Sequence, residues 1–213
     1  MNGDKGGPRS PADDSGIDRR SGERATSMFW PVLIRFDDFT GLSLIRNLSP
    51  HGMMARVYAQ LAPEQVISVQ FNQDTVVDAR VVWSNGQRIG VEFDREIDVD
   101  AILSRFGRQN NGTGEDRAPR LQIDCGCEIL TESGTLAVDV RDISQRGVKI
   151  ATSRLRPGDE VTIHLPRMRP KKAVVRWVQQ ETAGLNFLDP LGFEDLARWV
   201  IEQQTLSSAA GPG

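Results

Sequence analysis

The sequence predicts an all-β chain with accessory helices, built as two tandem domains. Six short apolar runs separated by turn residues occur twice along the 213 residues, and each set is closed by a helical pattern. A turn skeleton, Asn47-x-Ser49-x-x-Gly52, returns as Asp142-x-Ser144-x-x-Gly147. The steps from tryptophan to glycine and phenylalanine are identical in the two halves, Trp83, Gly90, Phe93 and Trp177, Gly184, Phe187, and Leu61-Ala62-Pro63 is matched by Leu155-Arg156-Pro157. Self-similarity of this kind marks a duplicated unit.

Taken in order, residues 1–17 are mostly Gly, Pro, Ser, Asp and basic residues, too poor in apolar groups to offset the entropy of ordering, and are expected to be a disordered tail. The first domain spans 18–107. Its strand-like runs are Trp30 to Phe36, Ser43 to Arg46, Met53 to Val57, Val66 to Phe71, Val76 to Trp83 and Ile89 to Phe93. In the fifth run Ala79, Val81 and Trp83 alternate with Asp78, Arg80 and Val82, the period of a strand with one dry face. Asn85-Gly86 supplies the dipeptide favoured in two-residue hairpins. A helix then starts near Asp98 or Asp100 and ends at Gly107, and the polar, glycine-rich residues 108–114 form a linker.

The second domain, 115–204, repeats this order: Leu121 to Leu130, Leu136 to Val140, Val148 to Ala151, Val161 to Leu165, Lys172 to Trp177 and Gly184 to Leu188. Phe193, Leu196, Val200 and Ile201 recur at helical spacing in a closing helix, Gly192 to Gln204, and 205–213 is a second loose tail. Six strands with this punctuation suit a small antiparallel barrel or a sandwich. In both motifs, Asn, Asp and Ser can close a turn with their side chains and Gly can supply a positive φ.

Composition narrows the function classes. A formal net charge of -3 gives no bulk attraction to nucleic acid or anionic lipid, so any anion site must be a local cluster. No apolar run is long enough to span a bilayer and the N-terminus has no secretory pattern, so a cytoplasmic location is expected. Cys125 and Cys127 flank Gly126 on one face of a strand; they are poor disulfide partners and read as small core residues. With His51 and His164 they do not make a structural zinc spacing, and no metal or cofactor is expected. Phosphate-loop, dinucleotide-binding, zinc-protease and nucleophile-elbow motifs are absent, and neither histidine has a nucleophile beside it in sequence, so the chain is not expected to be an enzyme.

Arg20-x-x-x-Arg24, followed by Asn47-x-Ser49-x-x-Gly52, Ala79-x-Val81-Val82-Trp83 and Gly90-Val91-Glu92-Phe93, resembles the PilZ domain, and the second half resembles it more weakly. The resemblance implies two tandem six-stranded antiparallel β-barrels, each followed by a C-terminal helix, and a receptor for cyclic diguanylate (cyclic di-GMP). In that frame Arg20 and Arg24 clamp phosphate and guanine edge, a geometry that suits a planar guanidinium. Asn47 accepts from the guanine N1 or N2 hydrogens, Ser49 bonds guanine or phosphate, and Gly52 lets the backbone come close. Arg19 and Arg46 are adjacent cations that could assist. The arm carrying Arg20 and Arg24 would become ordered on binding and so act as a switch towards a protein partner.

The second copy departs from this pattern. Asp142, Ser144 and Gly147 are kept, but whether Arg117 or Arg120 stands for the second arginine, the first falls on Thr113 or Asp116. One arm of the clamp is missing, so weak or no binding is expected there. This domain adds Arg167, Arg169, Lys171, Lys172 and Arg176 around a hairpin, of which 167, 169 and 171 would share a face if extended. Those cations read as a charged hairpin tip or as a docking patch for an acidic partner or a nucleic acid backbone. Three readings follow: a cyclic diguanylate receptor, a ligand-free interaction module, and, last for want of stacking aromatics, a nucleic-acid binder. Ligand stoichiometry and self-association stay open.

Overall fold

The computed structural model describes residues 29–72, 74–109 and 119–210. The strands of the first domain are β1 (Trp30–Phe36), β2 (Phe39–Ser49), β3 (Gly52–Arg56), β4 (Val66–Gln70), β5 (Val76–Asn85) and β6 (Arg88–Phe93), followed by helix α1 (Val99–Gln109). The second domain has β7 (Leu121–Thr131), β8 (Gly134–Ser144), β9 (Gly147–Ala151), β10 (Glu160–His164), β11 (Lys171–Gln179), β12 (Thr182–Phe187) and α2 (Phe193–Ala210). Each set closes into an antiparallel barrel with the same strand order, β1-β2-β3-β6-β5-β4 and β7-β8-β9-β12-β11-β10. Closure leaves no free sheet edge, and inward-facing residues fill the interior. Ile34, Ile45, Ile67 and Ile89 are buried in the first barrel, and Ile129, Ile143, Ile150 and Ile163 in the second.

β2, β5, β8 and β11 run longer than their apolar runs suggested, β1 matches its run, and β4 stops one residue short of Phe71. Phe36 pairs with Phe39 across a tight turn in which Asp37 takes a positive φ of 47°. Gly86 (φ 60°) is the first residue of the β5–β6 turn and Asn85 stays in the strand, opposite Arg88, so the dipeptide lies one position out of the expected frame. Asp98 begins α1 by accepting from the Ala101 amide at 2.9 Å, an N-terminal cap. The two helices depart from expectation at their ends: α1 runs to Gln109, into the expected linker, and α2 continues to Ala210, through residues assigned to the final tail. Ser207 and Ser208 hold that last turn by donating back to the carbonyls of Gln203 and Gln204. The expected N-terminal tail and the rest of the linker lie outside the described residues.

Burial in β1 and β2 does not alternate cleanly. Val32, Leu33 and Ile34 are all buried, and so are Gly41, Leu42 and Ser43. Val32 and Ile34 belong to the core of the first barrel, whereas Leu33 and its cross-strand partner Leu42 belong to the hydrophobic cluster of the second. The outer face of this hairpin is therefore covered by the other domain. Helix α2 completes the junction: Gln204 accepts from the Thr40 amide and donates to the Thr40 carbonyl, both at 2.8 Å, as a neighbouring strand would. Ile201 lies over Gly41, where a Cβ would come within 3.3 Å of its Cδ1. Among the described residues no helix is long and apolar enough to cross a membrane.

Candidate functional site

The repeated motif builds the end of β2, the turn after it and the start of β3. Residues 45 to 47 of β2 carry a bulge opposite β3, which reaims Asn47 before the ladder resumes with Asn47↔Met54 and ends at Ser49↔Gly52. A second bulge, between Val81 and Trp83 of β5, faces β6. The two irregularities frame an open cleft of about 330 Å³, lined by Asn47, Ser49, Met54, Trp83, Gly90 and Glu92 among others. Bulges commonly sit beside functional sites for this reason.

Each motif residue has an identifiable task. The Asn47 Oδ1 atom is buried and has no hydrogen-bond partner among the described residues. Ser49 donates its hydroxyl proton to the Gly52 carbonyl at 3.1 Å, so towards a ligand it retains lone pairs. Gly52 is not needed for a positive φ, contrary to the reading from sequence: β3 and β6 come so close there that a Cβ would lie 2.3 Å from the Val91 carbonyl oxygen. Gly90 likewise makes room for the Trp83 indole, whose Nε1 would stand 2.1 Å from an added Cβ. The indole lies over Gly90 yet stays 40% exposed at the cleft. The alternation in sequence put Trp83 on the dry face with Ala79 and Val81, but the bulge after Val81 turns it outward; the Trp-Gly spacing held in both halves is the signal that an aromatic ring covers a glycine.

Arg46 stands on the bulge with its guanidinium 4.0 Å from the centre of the Phe29 ring, a cation–π contact. The pairing Trp30↔Ile45 sets Phe29 beside Arg46, the residue before Asn47. Arg20 and Arg24, expected to form the clamp, and Arg19, expected to assist it, lie outside the described residues, as does Arg117. The described lining of the cleft holds a carboxylate, Glu92, and no lysine or arginine. Any positive charge for an anionic ligand must come from residues around it.

In the second barrel the same skeleton recurs. Ser144 donates to the Gly147 carbonyl at 3.3 Å, a Cβ on Gly147 would meet the Leu185 carbonyl oxygen at 2.2 Å, and Trp177 covers Gly184. The motif carboxylate, however, is already occupied: Arg120 binds Asp142, which is 9% exposed. Of the two arginines considered for the clamp, Arg120 makes this internal ion pair with the motif carboxylate. The basic hairpin is not extended: Arg167 takes a positive φ of 57° in a turn, so 167, 169 and 171 do not share a strand face. Lys171 pairs with Asp189 at 3.0 Å.

The cysteines are free, Cys127 buried and Cys125 half-buried. Burial, with Asp124 and Asp139 adding to it, pushes the Cys125 thiol up to about 11. Burial, with Cys125 and nearby carboxylates adding to it, pushes Cys127 up to about 12. Both are thiols at neutral pH and poor nucleophiles or metal ligands. His51 lies in the turn that lines the cleft and is exposed, as is His164.

A comparison with curated proteins finds no match. Among solved structures the chain is similar to the Borreliella burgdorferi PlzA protein in complex with c-di-GMP, at 11% identity over 80% of this chain and 86% of that one, with a TM-score of 0.40. It is similar to YcgR from Escherichia coli in complex with c-di-GMP (12% identity, 84% and 85% covered, TM-score 0.35). It is also similar to the Bacillus subtilis inhibitor of motility MotI (14% identity, 85% and 99% covered, TM-score 0.34). The family model of the PilZ domain matches twice, over residues 18–108 and 115–202, which span both barrels. With the motif, the bulges and the ring-covered glycine present in each half, the chain belongs to the PilZ domain family and carries two copies of the domain in tandem.

Proposed function

We propose that the chain is a cyclic diguanylate receptor that binds at the first barrel and passes the signal to a protein partner. The observation that carries this reading is the Oδ1 of Asn47, buried in the wall of an open cleft and without a partner among the described residues. A buried acceptor left without a donor costs about 1–3 kcal/mol, which a ligand offering N–H groups in the right place recovers. The Watson–Crick edge of guanine presents two such donors, N1–H and N2–H, and Glu92 in the same lining can take the second. The exposed Trp83 indole offers a flat apolar surface to the purine.

The phosphates need cations that the described lining does not contain, and the chain before β1 supplies them. Arg24 is five residues from Phe29, a reach of roughly 17 Å when extended, and Phe29 packs on Arg46, the neighbour of Asn47. Arg20 and Arg24 can therefore close over a ligand held by Asn47 and Ser49, with Arg46 beside them and Arg19 on the same arm. Closing that arm changes the surface around β1 and β2, which is the change a partner would read. The second barrel, with Asp142 held by Arg120 and one arginine missing, serves as a scaffold rather than a second receptor site. The chain acts by binding and not by catalysis.

Calorimetric titration with cyclic diguanylate tests the proposal. Wild type should bind, Asn47→Ala should bind about tenfold or more weakly, and Arg20→Ala with Arg24→Ala should lose binding. Equal heats for all three proteins would overturn this site, and no heat for any would leave a ligand-free interaction module.

A further inference from the structure

The geometry points to a docking surface on the outer face of the second barrel, fitted to an acidic amphipathic segment of a partner protein. Its centre is a cross-strand row in which Leu130 pairs with Thr162, Thr162 pairs with Lys172, and the Leu188 amide binds the Lys172 carbonyl at 2.9 Å. Leu130 and Leu188 are 47% and 57% exposed, so two large aliphatic side chains flank a lysine in open solvent. The duplicated barrel has a wholly polar version of this row, Arg35, Ser68, Asp78 and Asp94, in which Ser68 donates to Asp78. One fold thus carries the same row with opposite chemistry, and the fold does not require the leucines.

Charge points the same way. Lys172 and Arg176 lie on the outer face of β11, and Arg167 and Arg169 project from the turn before it; none of the four makes an ion pair among the described residues. The turn is anchored. Met168 packs against the core, and the Trp199 indole of α2 donates to the Pro166 carbonyl at 2.7 Å, so the two arginines flanking Met168 are presented from a fixed backbone. Ordering costs are lower for such a preset surface. Cations interleaved with aliphatics match a partner segment in which carboxylates alternate with aliphatic residues, where the apolar contacts give affinity and the charges give register and rate. Glu128 and Glu160 lie on the neighbouring strands and break the continuity of positive charge that a phosphate backbone or an anionic membrane would need.

Peptides selected from a random display library against the full chain, then synthesised and titrated by fluorescence anisotropy, test this without any need for nucleotide. Enriched peptides should carry Asp or Glu among aliphatic residues. Their affinity should fall about tenfold or more for Lys172→Glu with Arg176→Glu, and equally for Leu130→Ser with Leu188→Ser. Peptides with Lys in place of the acidic residues should recover binding to the charge-reversed protein, which shows that the variant is folded. Enriched peptides without this pattern, or binding that survives both double substitutions, would overturn the inference. So would tighter retention of the chain, through these same residues, by phosphatidylglycerol vesicles or duplex DNA. Both variants keep the first barrel intact, so a separate cyclic diguanylate titration keeps this outcome distinct from that of the receptor reading.

Discussion

At the residue scale, the glycines of the repeated motif are structural before they are anything else. Gly52 and Gly147 stand where two strands approach too closely for a side chain, and the obstacle in each case is a carbonyl oxygen of the facing strand rather than a mobile side chain. Gly52→Ala should therefore force β3 away from β6 and destabilise the first barrel by about 2–3 kcal/mol, seen as a lower midpoint in chemical denaturation. Cys127 gives a prediction with a sign. Its thiol ionises near 12 in the folded chain against an ordinary 9.0, so folding favours the neutral form. The stability this contributes is complete below pH 9 and is lost as pH rises from 9 towards 12, where the unfolded chain ionises first. Wild type should lose stability in that window relative to Cys127→Val, measured by denaturant titration at each pH.

At the scale of elements, the strands that carry the site are irregular where the site is. Bulges at β2 and β5 interrupt the ladders on either side of the cleft, and the Trp83 ring fills the gap that Gly90 leaves. Gly90→Ala should push the indole off the strand; cyclic diguanylate affinity should drop several-fold while the barrel stays folded, read by calorimetry beside the tryptophan emission spectrum. The order of strands and helices was legible in the sequence because alternation and turn residues are local signals, and the position of Asn47 followed from the repeat. The bulges were not, because an extra residue in one strand is visible only against its partner. Nor was the covered face of β1 and β2, although the unbroken run Val32-Leu33-Ile34 is its trace: a strand buried on both sides loses its period of two. The ion pair of Arg120 with Asp142 depends on pairing across β7 and β8, and the spacing of residues left two arginines equally eligible.

At the scale of the whole molecule, the two barrels share apolar surface. Leu42 is a residue of the first domain by sequence and of the second by packing. Leu42→Ala should accordingly cost about 2–5 kcal/mol and lower the unfolding transition of the second barrel as well as the first, followed by the fluorescence of Trp177 and Trp199. Arg56 and Arg198 both reach Glu194 at the same junction, at 3.3 and 2.6 Å, but these exposed pairs contribute little beside the leucines. Helix α2 touches three places at once: Gln204 holds Thr40 on the strand that carries Asn47, Leu196 and Val200 fill the second core, and Trp199 steadies the basic turn.

The grip of Gln204 on Thr40 turns one backbone proton into a gauge. The Thr40 amide gives its hydrogen to a side chain from the other half of the polypeptide, so its exchange with deuterated solvent reports each parting of the two units, while the amides of the closed ladders report only unfolding. Comparing that single rate with and without nucleotide measures, at one site and without a label, whether the message crosses from one unit to the other.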